Sequence, residues 1–174
     1  MAGLSNGNGA VRLEDTSLFK NIREDTVQDL VNRFQQRTLS GAEVVFSQGD
    51  PGDFLVVITD GQFDLIRNGT TGEVHLADLG PGTILGHVSL VDGGPRSATL
   101  RARDGGSIAT LDRQTFAALW QDPSPDAVQL QMRVTQLVIE ELRVANRKLS
   151  GLLDMPLAET PEAIQRLLGV TANR

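Results

Sequence analysis

Hydrophobic and polar positions alternate in short segments through the middle of the chain, between about residue 36 and residue 112. Short runs rich in β-branched and aromatic side chains, bounded by turn residues, are typical of β-strands. Seven segments fit this description: 38–39, 43–47, 54–59, 62–67, 73–79, 97–103 and 107–112. Their close spacing predicts a mostly β domain in which the strands form a barrel or roll.

The residues between these segments contain glycine wherever a turn requires a positive φ. The breaks are at 40–41, 48–53, 60–61, 68–69 and 105–106. Asn68-Gly69 is a strong signal for a tight hairpin, because both residues tolerate left-handed backbone conformations. We therefore predict that the chain turns at each of these positions.

The period of the pattern is helical on both sides of the β region. Val27, Leu30, Val31 and Phe34 have the spacing of one helix face, which predicts a helix over about 25–34. After residue 112, a short helix is predicted over 113–120, and two prolines at 123 and 125 separate it from a long helix over 126–153.

The long helix carries an apolar seam with heptad spacing. Its residues are Val138, Leu142, Ala145, Leu149 and Leu152. The seam could pack on the roll or pair with the same helix of a second copy. A second apolar strip, Val134, Leu137 and Val144, could serve the roll, which favours a homodimer through the seam.

Composition excludes several classes of function. The 174 residues carry 16 basic and 22 acidic side chains, a formal net charge of -6, so no broad basic surface is available for direct binding of DNA. No cysteine is present, and two histidines are too few for a typical zinc site, so we expect no disulfide, no thiol nucleophile and no metal centre. The start of the chain lacks a signal-peptide pattern and no apolar run could span a membrane, which predicts a cytoplasmic protein without membrane attachment.

The chemistry is concentrated in residues 80–99. Gly80 and Gly82 allow tight turns, and Gly86 allows the backbone to approach a neighbouring group closely. A short helix starting near Gly86 would direct the N–H groups of His87, Val88 and Ser89 at an anion, with Arg96 as the countercharge and the hydroxyls of Ser97 and Thr99 as further donors. This arrangement predicts a binding site for a small phosphate group.

At these residues the chain resembles the cyclic nucleotide-binding domain family. The positions that fit the family's phosphate-binding cassette are Gly82, Leu85, Gly86, Ser89, Leu90, Arg96, Ser97, Ala98 and Thr99. The glycines and apolar residues over 44–61 also fit its first strands, so that the resemblance covers about residues 13–153. It implies a double-stranded β-roll with flanking helices, a cyclic nucleotide such as cAMP or cGMP as ligand, no further cofactor, and a long dimerisation helix as in catabolite activator protein-like members.

The resemblance also implies roles for two residues that depart from the family pattern or lie far from the cassette. His87 stands where the family has an acidic residue that accepts a hydrogen bond from the ribose 2′-hydroxyl. A neutral imidazole could still accept one hydrogen bond, whereas a protonated one would favour a more anionic ligand. Asn146 occupies a position on the dimer helix from which it could contact the purine, or it is an ordinary polar helix residue.

Two functions from different classes follow from these patterns. The first is a non-catalytic sensor or regulatory module that binds a cyclic nucleotide and signals through helix rearrangement to an unknown protein partner. The alternative is a ligandless dimeric interaction or scaffold protein that keeps the roll, with a site impaired by His87. Since the residues after 154 are too few for a helix-turn-helix, we expect no DNA-reading domain.

The predicted organisation has four parts. Residues 1–11 form a disordered tail, 12–125 the β-roll with its N-terminal helix, 126–154 the long helix, and 155–174 a tail with a possible short helix. A dinucleotide-binding loop is excluded because no βαβ unit follows Gly80. No nucleophile elbow surrounds Ser89 or Ser97, so no catalytic residue is predicted. His75 is expected at a surface or edge without partners, and Trp120 is expected to cap the core.

Overall fold

The computed structural model describes residues 9–70 and 72–153. The chain divides into two compact units, Met1–Gln136 and Leu137–Arg174. The predicted short helix near the C-terminus and most of the predicted N-terminal tail lie outside the described residues, so both remain predictions.

The first unit is built on a six-stranded antiparallel sheet, in agreement with the predicted roll. The strands are β1 (Gln35–Ser40), β2 (Val44–Phe46), β3 (Phe54–Gly69), β4 (Gly72–Leu79), β5 (Ile84–Leu85) and β6 (Thr99–Asp112). The main path of the sheet runs in the order β1-β6-β3-β4, while β2 pairs with β6 and β5 pairs with β3.

The breaks predicted at 60–61 and 105–106 are wrong as turns. β3 and β6 continue through them, and their register shifts between Ile58 and Asp60 and between Gly61 and Phe63. The glycines do have positive φ, +89° at Gly61 and +105° at Gly105. A Cβ on Gly61 would lie 2.4 Å from the carbonyl oxygen of Gly105. The backbones of β3 and β6 therefore lie too close together here for a side chain at position 61. The same glycine signal therefore produces a bulge here and a turn elsewhere.

The predicted hairpin of β3 and β4 is confirmed, but Asn68 and Gly69 are paired strand residues and not its turn. Both residues belong to β3, where Asn68 faces Glu73 and Gly69 faces Gly72 of β4. The N–H of Asn68 also donates to the side-chain oxygen of Gln48 at 2.7 Å. These contacts hold residues 68 and 69 in the sheet, so the turn of the hairpin does not include them.

The helices of the first unit follow the predicted pattern with shifted ends. Two short 3-10 turns, Leu13–Asp15 and Ser17–Phe19, precede α1 (Glu24–Val31), which stops three residues before the predicted end. The others are α2 (His87–Asp92), α3 (Arg113–Gln121) and α4 (Pro125–Leu153). The Asp112 carboxylate caps α3 by accepting from the N–H of Thr115 at 2.7 Å.

The core of the first unit is formed mainly by strand residues, with further buried side chains from the helices. Strands β3 and β6 supply most of the side chains that are completely buried. They are Leu55, Val56, Val57, Ile58, Phe63, Leu100, Ala102, Ile108 and Ala109. The segment 80–98 connects β4 to β6 and contains β5 and α2, so it leads directly into one of these two buried strands.

In the second unit, α4 presents several apolar side chains to solvent. Leu142 of the predicted seam is 58% exposed and Leu149 is 49% exposed. Of the second strip, Val134 is buried in the first unit, whereas Val144 is 40% exposed. Homodimer formation through the seam stays a prediction.

Among the described residues, no helix is both long enough and apolar enough to cross a lipid bilayer.

Candidate ligand site around Arg96

The predicted short helix of the cassette is present as α2 and has glycine at both ends. Gly86 precedes it with φ +76°, and Gly93 follows it with φ +78°. Both values are left-handed, a conformation in which a Cβ is strained. The glycines therefore allow the chain to enter and leave a helix of only six residues, with His87, Val88 and Ser89 in its first turn.

Arg96 lies against Gly86, as the sequence predicts. A Cβ on Gly86 would come within 2.0 Å of Nη1 of Arg96, so only glycine leaves room for the guanidinium. Nη1 donates to the hydroxyl of Ser89 at 3.1 Å, and Nη2 donates to the main-chain carbonyl of Phe54. The structure thus brings together Gly86, Ser89 and Arg96, three of the predicted site residues.

The guanidinium of Arg96 packs against two aromatic rings that are themselves in edge-to-face contact, with ring centres 6.2 Å apart. Its Cζ lies 4.4 Å from the ring centre of Phe46 and 4.5 Å from that of Phe54. Only 3% of the residue is exposed. We call Phe46, Phe54 and Ser89 the Arg96 clamp, because the two rings pack against the guanidinium and the Ser89 hydroxyl accepts from one of its nitrogens.

Charge and burial act in opposite directions on Arg96. Burial lowers the pKa of the guanidinium, whereas the negative charges of Asp53 and Asp50 raise it and Arg113 lowers it further. An arginine side chain keeps its proton through shifts of this kind. The site therefore holds a buried positive charge. Among the described residues, Nε of Arg96 has no hydrogen-bond partner.

A second arginine fixes α2 from outside the cassette. Nη2 of Arg113, at the start of α3, donates to the carbonyl oxygens of Ser89 at 2.6 Å and Gly52 at 2.7 Å. A Cβ on Gly52 would lie only 2.2 Å from Cβ of Ser89, so the loop before β3 and α2 are in close contact. Sequence reasoning missed Arg113, Phe46 and Phe54, because nothing in the local pattern shows what they meet across the fold.

The other predicted site residues of the first unit differ in how far they are buried. His87 is buried, with 8% of its surface exposed, while Val88 is 37% exposed. Ser97 is exposed to solvent. The hydroxyl of Thr99 accepts from the N–H of Gln48 at 2.9 Å, which joins the start of β6 to the loop after β2.

Asn146 belongs to the second unit and is exposed there. Its predicted role stays a prediction.

His75 is exposed on β4, at the edge of the sheet, but it is not without partners. Its Nε2 lies 3.4 Å from Oδ1 of Asp64 and 3.2 Å from Oδ1 of Asp78. A register shift in the pairing of β3 with β4 accompanies this approach. Arg103 donates to the same two carboxylate oxygens, so its positive charge offsets one of the two negative charges of the cluster. Hydrogen bonding to Arg103 lowers the pKa of Asp64.

Trp120 caps the core only in part. Its ring packs on Phe116 with ring centres 5.3 Å apart, and 46% of the residue is exposed. It lines an open cavity of about 390 Å³ together with Leu90 and Val91 of α2. The indole therefore reports on the surroundings of α2.

Comparison with known proteins places this site in a family. The model of the cyclic nucleotide-binding domain matches residues 36–122, which include the strands, α2 and Arg96. The cAMP-dependent protein kinase regulatory subunit of Blastocladiella emersonii is 36% identical over 107 residues, covering 60% of this chain and 26% of that protein. The Cyclic AMP receptor protein of Thermus thermophilus is 32% identical over 108 residues, covering 62% of this chain and 50% of that protein.

Solved structures show the same architecture. The Thermus thermophilus Catabolite Activator Protein superimposes with a TM-score of 0.71 at 30% identity, covering 79% of this chain and 63% of that one. The N-terminal domain of a transcriptional regulator from Streptomyces coelicolor A3(2) gives 0.65 at 31% identity, covering 78% of this chain and 94% of that one. The chain spans between about a quarter and a half of the curated relatives described above. The predicted β-roll with its long C-terminal helix is thus confirmed, and the chain belongs to the cyclic nucleotide-binding domain family.

Proposed function

We propose that this chain is a non-catalytic regulatory module that binds a cyclic nucleotide, cAMP or cGMP, or a related phosphate ligand. The observation that carries the proposal is the contact of the Arg96 guanidinium with Gly86 at the start of α2. A planar guanidinium can bind two phosphate oxygens at once, and the beginning of a helix favours an anion. In the proposed complex Arg96 binds the phosphate, and residues 86–89 surround it.

Further residues complete the proposed site. Ser97 and Thr99 would assist at the phosphate, His87 would lie near the ribose, and Asn146 would contact the base. The Thr99 hydroxyl is already an acceptor for Gln48, which leaves its proton available for donation. The proposal requires no metal and no cofactor besides the ligand.

Binding would be signalled by a change in helix arrangement within a homodimer. The exposed Leu142 and Leu149 of α4 support a second copy of the chain as the partner of this helix. A ligand shifts such an equilibrium only by the difference between its affinities for the two arrangements. A further protein would receive the signal, and direct contact with DNA or a membrane has no part in the proposal.

One observation favours the alternative, a ligandless dimeric scaffold. The two terminal nitrogens of Arg96 already donate to Ser89 and Phe54, so the charge is held without a ligand. The replacement of the family's acidic residue by His87 points the same way, because a neutral imidazole accepts only one hydrogen bond.

Calorimetric titration with cAMP, cGMP and cyclic dinucleotides separates the two functions. The regulatory module predicts saturable binding that is lost in Arg96→Ala and retained in Arg67→Ala, whose side chain is exposed on β3. The scaffold predicts no binding to any of them. His87→Glu should raise the affinity for cAMP, since a carboxylate is the stronger acceptor for a ribose hydroxyl. Loss of binding in both arginine variants would point to a general charge effect and contradict the proposed site.

A further inference from the structure

We infer that the Arg96 clamp holds the guanidinium in a ligand-excluding position, so that an anionic ligand must take over its contacts with Ser89 and Phe54. The inference rests on the proposed function and concerns the regulation of the same site. It assigns Ser89 a role opposite to that of a simple ligand contact.

The geometry leaves no open approach to the charge. The rings of Phe46 and Phe54 pack against the guanidinium, with their centres 4.4 and 4.5 Å from Cζ of Arg96. Its two terminal nitrogens donate to Ser89 and to the Phe54 carbonyl. With 3% of the residue exposed, a phosphate in solvent cannot contact the guanidinium in this arrangement.

The Arg96 guanidinium can nevertheless exchange its present hydrogen-bond acceptors for those of a phosphate. Nε of Arg96 is buried and has no hydrogen-bond partner among the described residues, and an incompletely paired buried charge is unfavourable. The groups that bind its terminal nitrogens are a neutral hydroxyl and a neutral carbonyl. A phosphate offers charged acceptors instead, and hydrogen bonds between charged groups are stronger than those to neutral ones.

The exchange requires movement at α2. Ser89 lies within this helix of six residues, between the left-handed glycines Gly86 and Gly93. Displacing α2 by a small amount would withdraw the Ser89 hydroxyl from Nη1 of Arg96. The glycine at either end absorbs the backbone change that such a displacement needs.

The direction in which Ser89→Ala changes the affinity for cAMP distinguishes the two possible roles of Ser89. The substitution removes the hydroxyl that accepts from Nη1 and leaves the closed state with a second unpaired nitrogen on the guanidinium. Destabilising only the closed state should tighten binding of cAMP by about tenfold. If the hydroxyl of Ser89 instead contacts the phosphate, the same variant must bind more weakly.

The test combines cAMP titration with a measurement that needs no ligand. Binding is followed by calorimetry and by the fluorescence of Trp120, the single tryptophan, which lines a cavity with Leu90 of α2. Phenylglyoxal labelling, read by peptide mass spectrometry, measures access to Arg96, with the exposed Arg67 as internal standard. The variants are Ser89→Ala, Phe54→Leu, which keeps the backbone carbonyl, and Ser40→Ala as an exposed control.

In the parent we expect Arg96 to be labelled slowly relative to Arg67. In Ser89→Ala and Phe54→Leu, Arg96 should be labelled faster and cAMP should bind more tightly. Ser40→Ala should behave like the parent. Equal labelling of Arg96 and Arg67 in the parent overturns the inference. Weaker or unchanged cAMP binding in Ser89→Ala also overturns it, while leaving the proposed function intact. Failure of cAMP, cGMP and the cyclic dinucleotides to bind the parent or any variant contradicts the proposed function, whereas faster labelling in Ser89→Ala would still support the hold on Arg96.

Discussion

Replacing Gly86 by alanine tests the contact between the cassette and Arg96. The new Cβ would lie 2.0 Å from Nη1 of Arg96 and 3.0 Å from the carbonyl oxygen of Phe54. Gly93, at the other end of α2, is the matched control, because its φ of +78° nearly equals the +76° of Gly86 and its nearest neighbour, Nη1 of Arg113, would lie at 3.7 Å. Both substitutions place alanine in a left-handed conformation, but only one of them collides with a buried group.

The magnitudes follow from this difference. A left-handed alanine costs roughly 1–2 kcal/mol at either position. Gly86→Ala must also displace the guanidinium from its two hydrogen bonds, and a hydrogen bond from a charged donor contributes about 1.5–3 kcal/mol. We therefore expect Gly86→Ala to lower the free energy of unfolding by about 3 kcal/mol or more beyond the loss in Gly93→Ala.

Urea unfolding followed by far-ultraviolet circular dichroism measures both losses. The same pair of substitutions in an Arg96→Met background shows whether the extra loss comes from the guanidinium, since the two sites should then be coupled. Equal losses of unfolding free energy in Gly86→Ala and Gly93→Ala, in the parent background, would refute the reasoning. So would an extra loss at Gly86 that persists at full size without the Arg96 guanidinium.

Two further predictions concern the cap of α3 and the seam of α4. Asp112→Ala should lower the free energy of unfolding by about 1 kcal/mol, whereas Asp112→Asn should largely keep the cap. Hydrogen bonding to the Thr115 N–H lowers the pKa of Asp112. The contribution of this carboxylate to the free energy of unfolding is therefore present at neutral pH, above the ordinary pKa, and is lost as the pH falls through the lowered value. In Asp112→Asn the free energy of unfolding should accordingly decrease less steeply as the pH falls through this range. Leu142→Glu should reduce the mass measured by light scattering from that of a dimer to that of a monomer. Met132→Glu should leave the mass unchanged, because Met132 lies outside the seam and is 59% exposed, against 58% for Leu142. An unchanged mass for Leu142→Glu would exclude the seam as the interface.

The cassette could be predicted from sequence because its determinants are local. Gly86 and Arg96 lie only ten positions apart, and the turn between them contains Gly93, whose positive φ the structure shows. The short helix and the approach of the arginine to the glycine follow from residue types that admit few alternatives.

The clamp and the continuous long strands could not be predicted because they depend on distant partners. Phe54 precedes Arg96 by 42 residues, and in a strand its ring is indistinguishable from a core side chain until the guanidinium is placed beside it. Gly61 indicates positive φ correctly, but whether the chain turns or bulges there is decided by the backbone of Gly105 opposite. The prediction that His75 has no partner is wrong for the same reason, since Asp64 belongs to the neighbouring strand.

Ser89 offers one oxygen to each of two arginines. Its hydroxyl accepts from Arg96 and its carbonyl from Arg113, which begins α3. Because both oxygens belong to one residue of a very short helix, rotating this residue far enough to lose one partner also misaligns the other. We therefore expect release of the buried charge and loosening of the joint between α2 and α3 to occur as a single concerted event, and not as two independent steps.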